Sequence, residues 1–224
     1  MFKAADLFDL SQTEHAAIFE GCNYAWEALA KIEPYLAKVT RQNPPRRFPG
    51  ASIGDRVIIG EGTVVEPGVM IKGPAIIGKH CQIRHNAYIR ENVIIGDDCV
   101  VGNSSELKNA LLFNGVQAPH YNYVGDSILG YKAHVGAGVK ISNVKLLAGN
   151  VAVMVDGVLT DTGLRKFGAL LGDHAEAGCN AVLNPGSILG REAVVYPNVF
   201  WRGVLPAGAI AKNKAAVEVA ARRK

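Results

Sequence analysis

Aliphatic residues recur at every sixth position along most of the chain. The run starts at Ile53, and the residue after the aliphatic is often glycine, as at Gly54 and Gly60. A period of six fits neither an α-helix, whose period is about 3.6, nor a free strand, whose period is about 2. The aliphatic positions are Ile53, Ile59, Val65, Ile71, Ile77, Ile83, Ile89, Ile95, Val101 and Leu107, then Leu129, Val135 and Ile141, and finally Leu171, Ala177, Leu183, Leu189, Val195 and Trp201.

This period is typical of a short strand followed by a turn. Three such units make one triangular coil of roughly 18 residues, and stacked coils bury the aliphatic column. We therefore predict an all-β fold, a left-handed parallel β-helix, over residues 51–208. The run loses phase around Phe113 to Tyr123, and Cys81 and Cys99 occupy a small inward position. Since the cysteines form no C-x-x-C pair, we expect neither a disulfide framework nor a thiolate metal site.

Three segments depart from the repeat. Residues 1–50 are interpreted as an N-terminal helical segment and linker, in which Ser11 and Glu14 have the spacing of a capping box. Residues 145–166 contain an Asp-Gly turn between two apolar runs, which predicts an extruded β-hairpin. Residues 209–224 predict a short basic C-terminal helix.

Composition narrows the class of protein. The chain is 49% hydrophobic and 20% charged, which is ordinary for a globular protein. No apolar run is long enough to span a bilayer, and Asp6 precedes any apolar stretch, so we expect a cytoplasmic protein that does not bind membranes. A net charge of +4 is too small for a dedicated nucleic-acid binder but suits phosphorylated small molecules.

The phase break contains the residue best suited to acid–base chemistry. His120 lies off the aliphatic column, in the stretch Pro119-His120-Tyr121-Asn122-Tyr123. Imidazole takes up a proton near neutral pH, so His120 is a candidate general base. A hydrogen-bonded loop histidine with no chemical role explains the pattern alone equally well.

The segments on both sides of the phase break resemble a known family. Residues 101–110 and the stretch Ala-Pro-His-Tyr-Asn-Tyr-Val-Gly-Asp at 118–126 are similar to the acetyltransferase domain of bifunctional sugar-1-phosphate nucleotidylyltransferase/glucosamine-1-phosphate acetyltransferases, above all the archaeal type. The resemblance covers Ile53 to Gly208 and extends to the hairpin. It implies an acetyl-CoA-dependent N-acetyltransferase that acts on glucosamine 1-phosphate or galactosamine 1-phosphate, without a metal, as a homotrimer.

The resemblance also implies roles for single residues. His120 falls on the base that deprotonates the substrate amine. The positions that match sugar-phosphate ligands are Arg90, Lys108, Tyr123, Asn143 and Lys166. The positions on the acetyl-CoA side are Gly136, Ala137, Gly138 and Cys179, with Lys212 and Lys214 as further contacts to the CoA phosphates.

The sequence departs from the family pattern at two positions and in the segment before the repeat. His134 stands where the bacterial enzymes have an asparagine, and Val144 replaces an aromatic residue; both changes alter the sugar surroundings. The family's nucleotidylyltransferase domain needs a Gly-rich phosphate loop. The residues before Ile53 contain no such loop, so we expect no nucleotidylyltransferase activity from this chain.

Two other classes of function stay open. A non-catalytic trimeric scaffold, paired with a separate nucleotidylyltransferase, is suggested by the helix around Trp26, which resembles the linker between the two domains of the family. The same coil also occurs in γ-carbonic anhydrases, whose zinc histidines come from two subunits. His80 and His85 are five residues apart, but their places in the six-residue unit differ from those of that family.

Overall fold

The computed structural model describes residues 2–39 and 48–213. Within these ranges, short parallel strands wind into a three-sided coil. Ile53 pairs with Ile71, 18 residues later, so one coil contains three of the six-residue units. The predicted all-β parallel β-helix is therefore confirmed.

Each face of the coil is a stack of parallel strands. The first face contains β1 (Ser52–Ile53), β4 (Met70–Ile71), β7 (Tyr88–Ile89), β10 (Glu106–Leu112), β12 (Tyr123–Leu129), β14 (Lys140–Ile141), β19 (Val182–Leu183) and β22 (Phe200–Trp201). The second face contains β2 (Val57–Ile59), β5 (Ala75–Ile77), β8 (Val93–Ile95), the C-terminal halves of β10 and β12, β17 (Ala169–Leu171), β20 (Ser187–Leu189) and β23 (Val204–Leu205). The third face contains β3 (Val64–Val65), β6 (Gln82–Ile83), β9 (Val100–Asn103), β11 (Gln117–His120), β13 (His134–Val135), β18 (Glu176–Ala177), β21 (Val194–Val195) and β24 (Ile210–Ala211).

The inward side chains form one continuous apolar core. Ile71 and Ile89 are 1% and 0% exposed, and burial of each aliphatic side chain of this size contributes about 1.5–3 kcal/mol. Cys81 and Cys99 are buried in the same core, and each thiol donates to a backbone carbonyl of the next coil. Burial raises the pKa of the Cys99 thiol, which fits the structural role expected for that residue.

The N-terminal segment is helical, mostly in 3₁₀ conformation. Its elements are α1 (Ala4–Leu7), three 3₁₀ helices (Leu10–Gln12, Ala16–Phe19 and Ala25–Lys31) and α2 (Ile32–Val39). The predicted capping box at Ser11 and Glu14 is wrong, because Ser11 lies inside the first 3₁₀ helix. Asp9 caps that helix: its carboxylate accepts hydrogen bonds from the Ser11 backbone at 3.0 Å and hydroxyl at 2.7 Å.

This segment packs on the outside of the second face. Trp26 is 1% exposed and lies in one hydrophobic cluster with the outward side chains of Ile94, Leu111 and Ile128. The buried carboxylate of Asp173 anchors the segment further, since it accepts a hydrogen bond from the Asp9 backbone at 2.6 Å. The described N-terminal residues therefore share a core with the coil.

The hairpin and the end of the coil complete the fold. Strands β15 (Ala152–Val155) and β16 (Val158–Asp161) pair antiparallel, as the Asp-Gly turn predicts. β24 pairs with β21, so the coil continues past residue 208, where a C-terminal helix was predicted. The rest of that predicted helix, residues 214–224, lies outside the described residues. No helix in the described ranges is long and apolar enough to cross a membrane.

Candidate functional site

The phase break is produced by two shortened corners between the first and second faces. Leu107 and Leu112, which point into the core, are five residues apart instead of six, as are Val124 and Leu129. Strand partners across these coils are consequently 17 residues apart, as for Leu107 and Val124. The change of phase thus begins before the predicted stretch Phe113 to Tyr123.

We call this stack of corners the Asp126 edge; it comprises residues 90–92, 108–109, 125–126 and the insertion 142–168. The shortened corners place Asn109 and Asp126 in the left-handed backbone region, at φ 45° and 48°. Asparagine and aspartate are the non-glycine residues that tolerate this conformation best. Their side chains therefore meet in successive coils: Asn109 Nδ2 donates to Asp126 Oδ1 at 3.0 Å.

A buried carboxylate organises the Asp126 edge. Asp126 is 4% exposed, and its Oδ2 accepts a hydrogen bond from Asn143 Nδ2 and lies 3.5 Å from Lys108 Nζ. Asn143 Nδ2 also donates to the Tyr123 hydroxyl at 3.3 Å. The structure thus brings Lys108, Tyr123 and Asn143, three of the predicted ligands, around one carboxylate that the sequence analysis did not single out.

Arg90 lies one coil below Lys108 on the same edge. Its Nη1 is 3.0 Å from Glu106 Oε1, and its Nε is 3.8 Å from Glu91 Oε2. Lys72 pairs with Glu91 as well, at 3.4 Å. Lys72, Arg90 and Lys108 therefore each face a carboxylate. A phosphate can bind to Arg90 only in competition with Glu106 and Glu91.

Tyr123 and Lys166 complete the predicted substrate side. Burial raises the pKa of Tyr123, and the nearby charges of Glu106 and Asp126 add to the rise, so its hydroxyl keeps its proton at neutral pH. The backbone of Lys166 forms an antiparallel bridge to Val144, which brings the lysine beside Asn143 where the insertion returns to the coil. The Lys166 side chain is exposed, and the structure gives it no ion pair within the described residues.

His120 lies on a different edge, between the third and first faces. We call it the His120 edge; it comprises residues 120–122, 136–138 and 178–180. The imidazole is exposed, while the His120 backbone N–H donates to Asn122 Oδ1 at 3.0 Å. Asn122 is 2% exposed and its Nδ2 donates to the Gly136 carbonyl at 2.7 Å. The buried amide of Asn122 therefore fixes the backbone that carries the candidate base.

The predicted acetyl-CoA residues stack directly on this corner. Gly138 N–H donates to the His120 carbonyl at 2.9 Å, and Gly136 N–H donates to the Ala177 carbonyl at 2.7 Å. In the described ranges, the Ala137 N–H has no such acceptor. Ala137 is thus the one member of this predicted trio whose backbone N–H is left to donate to a ligand. Cys179 is exposed in the following coil of the same edge.

The two edges are separated by the width of the first face, on which Tyr123 lies between them. A strand advances about 3.3 Å per residue, so the six residues from His120 to Asp126 span up to about 20 Å. The structure therefore groups His120 with Ala137 and Cys179, and groups Arg90, Lys108 and Asn143 separately. The feature missed from sequence was the Asp126 carboxylate, although the five-residue spacing from Leu107 to Leu112 marks its edge.

The remaining predictions fall elsewhere. Lys212 is exposed at the end of the coil, and Lys214 lies outside the described residues. His85 Nδ1 is 2.6 Å from the Pro67 carbonyl oxygen, so that ring contacts the coil's own backbone. Across the part of the chain that the structure describes, no group of three His, Cys, Asp or Glu residues is placed to hold a metal ion.

A cavity of about 510 Å³ adjoins the Asp126 edge on the side of the insertion. Two cations, Lys145 and Arg202, line it together with apolar side chains such as Val144 and Phe200, and none of its lining residues is acidic. Charge and shape therefore suit an anionic, partly apolar ligand.

Comparisons with known proteins found one matching family model and several similar proteins. Residues 71–163 match the family model of the GMPPB C-terminal domain. The bifunctional protein GlmU of Methanococcus maripaludis strain C7 is 44% identical over 175 residues, which cover 78% of this chain and 42% of that protein. A bifunctional sugar-1-phosphate nucleotidylyltransferase/acetyltransferase of Sulfurisphaera tokodaii is 37% identical over 94 residues, or 42% of this chain and 23% of that protein. UDP-N-acetylglucosamine acyltransferase from Campylobacter jejuni aligns with a TM-score of 0.45 and 14% identity, over 72% of this chain and 69% of that one.

The fold and its repeat define a hexapeptide-repeat protein. More particularly, the chain is homologous to one portion of the archaeal-type bifunctional sugar-1-phosphate nucleotidylyltransferase/acetyltransferases, the family that its motifs resemble. The alignments span less than half the length of these curated relatives.

Proposed function

We propose that the chain is an acetyl-CoA-dependent N-acetyltransferase that acts on an amino-sugar 1-phosphate, such as glucosamine 1-phosphate or galactosamine 1-phosphate. The observation that carries the proposal is the contact between the exposed His120 and the next coil. There, the His120 carbonyl accepts a hydrogen bond from Gly138, the neighbour of Ala137, and the Ala137 N–H has no backbone acceptor within the described residues. A base and an oxyanion donor are the two groups that acyl transfer to an amine requires.

The mechanism needs no covalent enzyme intermediate. His120 removes a proton from the substrate amine as the amine nitrogen attacks the thioester carbonyl of acetyl-CoA. The Ala137 N–H donates to the oxyanion of the tetrahedral intermediate. The carbon–sulfur bond then breaks, and the CoA thiolate leaves and takes up the proton from His120. The products are the N-acetylated sugar phosphate and CoA.

The phosphate and sugar of the acceptor are assigned to the Asp126 edge. Arg90, Lys108 and Lys166 supply cations for the phosphate, and Tyr123 and Asn143 supply hydrogen bonds for the sugar. Lys166 carries an exposed charge beside Asn143, whereas Arg90 and Lys108 already face carboxylates. Lys166 therefore provides the charge that balances an incoming phosphate.

The donor is assigned to the His120 edge. Acetyl-CoA lies along Gly136, Ala137, Gly138 and Cys179, and Lys212 and Lys214 contact its phosphates. The name of the Sulfurisphaera relative, a bifunctional sugar-1-phosphate nucleotidylyltransferase/acetyltransferase, supports an acetyltransfer reaction on a sugar 1-phosphate. We further propose a homotrimer, as the family resemblance implies, in which the Asp126 edge of one subunit and the His120 edge of its neighbour together form each site.

The test is the release of CoA from acetyl-CoA in the presence of glucosamine 1-phosphate or galactosamine 1-phosphate. Sugar-dependent turnover is expected for the wild type. It should fall by roughly 10²–10⁴ in His120→Ala, the usual contribution of a general base. His80→Ala is the matched control, because His80 is exposed on a corner away from both edges. Equal background release with every sugar, from a folded protein, would refute the proposal and favour a non-catalytic scaffold.

A further inference from the structure

We propose that Asp126 is a positioning residue that sets the orientation of the Asn143 amide, so that Asn143 Oδ1 accepts a hydrogen bond from the sugar acceptor. The inference rests on the proposed function for the identity of that acceptor. It concerns the chemistry of one contact: the carbonyl oxygen at position 143 selects an N–H or O–H group on the ligand.

The hydrogen bonds of Asn143 fix which way its amide faces. An ionised carboxylate can only accept hydrogen bonds, so the atom of Asn143 that meets Asp126 Oδ2 is the amide nitrogen. The same nitrogen donates to the Tyr123 hydroxyl. Both donors of the amide are therefore used, whereas Oδ1 accepts no hydrogen bond from any residue in the described ranges.

The position of Asp126 is itself determined by its neighbours. Its other oxygen, Oδ1, accepts from Asn109 Nδ2 at 3.0 Å, and its side chain is only 6% exposed. Lys108 Nζ, 3.5 Å away, compensates the buried negative charge. The Asp126 carboxylate therefore accepts a hydrogen bond from Asn109 in the coil below and another from the Asn143 amide in the coil above.

Removal of the Asp126 charge should abolish the hydrogen bond between Asn143 and the sugar acceptor. In Asp126→Asn, the new amide oxygen still accepts from Asn109, so its NH2 group turns toward Asn143. The Asn143 amide then flips to accept that hydrogen bond, and its NH2 group faces the acceptor substrate. Donor meets donor, and the wild-type contact is lost, while Lys108 loses its ion-pair partner and becomes available to the phosphate, which offsets part of the loss.

The double variant Asp126→Asn/Asn143→Asp restores the wild-type polarity. The carboxylate at position 143 accepts from the amide at position 126 with one oxygen and presents the other to the ligand. Steady-state kinetics should show the KM for the sugar phosphate raised at least about tenfold in the single variant, with the KM for acetyl-CoA unchanged, and largely recovered in the double variant. A merely structural aspartate would not produce a change confined to one substrate.

Asp173→Asn is the matched control. Asp173 is a buried aspartate, 5% exposed, that accepts backbone hydrogen bonds far from the site. The Asp173→Asn substitution should lower the Tm and leave the KM for the sugar phosphate unchanged. An unchanged acceptor KM in Asp126→Asn, in a protein that acetylates normally, would overturn the inference while leaving the proposed function intact.

A measurement that does not depend on turnover tests the role of Asp126 separately from the proposed acetyltransferase activity. In protein labelled with ¹⁵N-asparagine, the side-chain amide signal of Asn143 is identified by its loss in Asn143→Ser. Its protons should exchange slowly in the wild type, where both are bonded, and faster in Asp126→Asn. If the wild type shows no turnover with any amino-sugar phosphate, the proposed function fails, and equal exchange in the two proteins would then reject the role of Asp126 as well.

Discussion

The backbone carbonyl of His120 accepts a hydrogen bond from the Gly138 N–H at 2.9 Å. This bond joins the corner that carries the candidate base to the corner that carries the candidate oxyanion donor, Ala137. Adjacent strands lie about 4.8 Å apart, so the coil ladder, together with the buried Asn122 amide that bonds both corners, fixes the spacing of the two groups. Distortion at Gly138 should therefore lower activity as well as stability.

Gly138→Ala tests this relationship. Gly138 has φ +72°, and an added Cβ would collide with Asn180 Oδ1. Gly68→Ala is a closely matched control, because Gly68 has φ +83° and its Cβ would meet Asn86 Oδ1 at the equivalent corner. Both should lose roughly 1–2 kcal/mol of unfolding free energy. Only Gly138→Ala should also lower kcat, by tenfold or more; equal activities in the two variants would argue against Ala137 as the donor.

Glu106→Gln should strengthen the binding of the sugar phosphate. The substitution removes the carboxylate 3.0 Å from Arg90 Nη1 and leaves the guanidinium available to a phosphate. Since the pair is about one-third exposed on both sides, the change is modest, a two- to fivefold lower KM for the sugar phosphate. The gain should shrink with added salt. Glu176→Gln, on the exposed third face, should leave this KM unchanged, and a raised KM in Glu106→Gln would show that Glu106 itself contacts the substrate.

The two sides of the hairpin should respond differently to truncation. Val153 is 2% exposed and belongs to the cluster around Trp26, whereas Leu159, on the opposite strand, is 67% exposed. Val153→Ala should cost about 2 kcal/mol of unfolding free energy, and Leu159→Ala less than about 0.5 kcal/mol. Urea denaturation measures both. A large loss in Leu159→Ala that depends on protein concentration would instead place Leu159 in a contact between subunits.

The fold was predictable because the six-residue repeat recurs in most coils, so many inward aliphatic positions indicate the same architecture. The candidate site was less predictable. Asn109 and Asp126 are 17 residues apart rather than 18, and their side chains meet because two shortened corners change the register, which the six-residue repeat does not predict. The N-terminal helices differed most from the prediction, because Ala25–Lys31, which contains Trp26, is a 3₁₀ helix. This helix packs on the outside of the second face, and such tertiary packing can override local helix propensity.

Stability should fall as the solution is acidified through the range where histidine titrates. His15 is half-buried, its Nδ1 is 2.9 Å from the Tyr35 hydroxyl, and desolvation lowers its pKa below the ordinary 6.5 despite the opposing charges of Glu14 and Asp97. The unfolded chain therefore binds a proton more readily than the folded one, and stability is lost as the pH drops below about 6.5.

The comparison of wild type with His15→Asn at about pH 7.5, 6.5 and 5.5 isolates this effect, because these values lie roughly one unit on each side of the ordinary histidine pKa. An asparagine can still bond to Tyr35 but does not titrate. The drop in Tm between the highest and lowest pH should be smaller in the variant. Equal drops would assign the acid sensitivity to other groups.

Cys179 should be the fast-reacting thiol of the described chain, and its modification should block acetyl-CoA. Cys179 is exposed on the His120 edge, while Cys81 and Cys99 are buried in the coil and Cys22 is half-buried. Brief treatment with a bulky maleimide should label one site in the folded protein, identified by peptide mass, and should raise the KM for acetyl-CoA or abolish turnover. Cys179→Ser removes the target without adding bulk, so it should keep its activity and resist the reagent. Full labelling of Cys179 with unchanged kinetics would remove it from the acetyl-CoA side of the site.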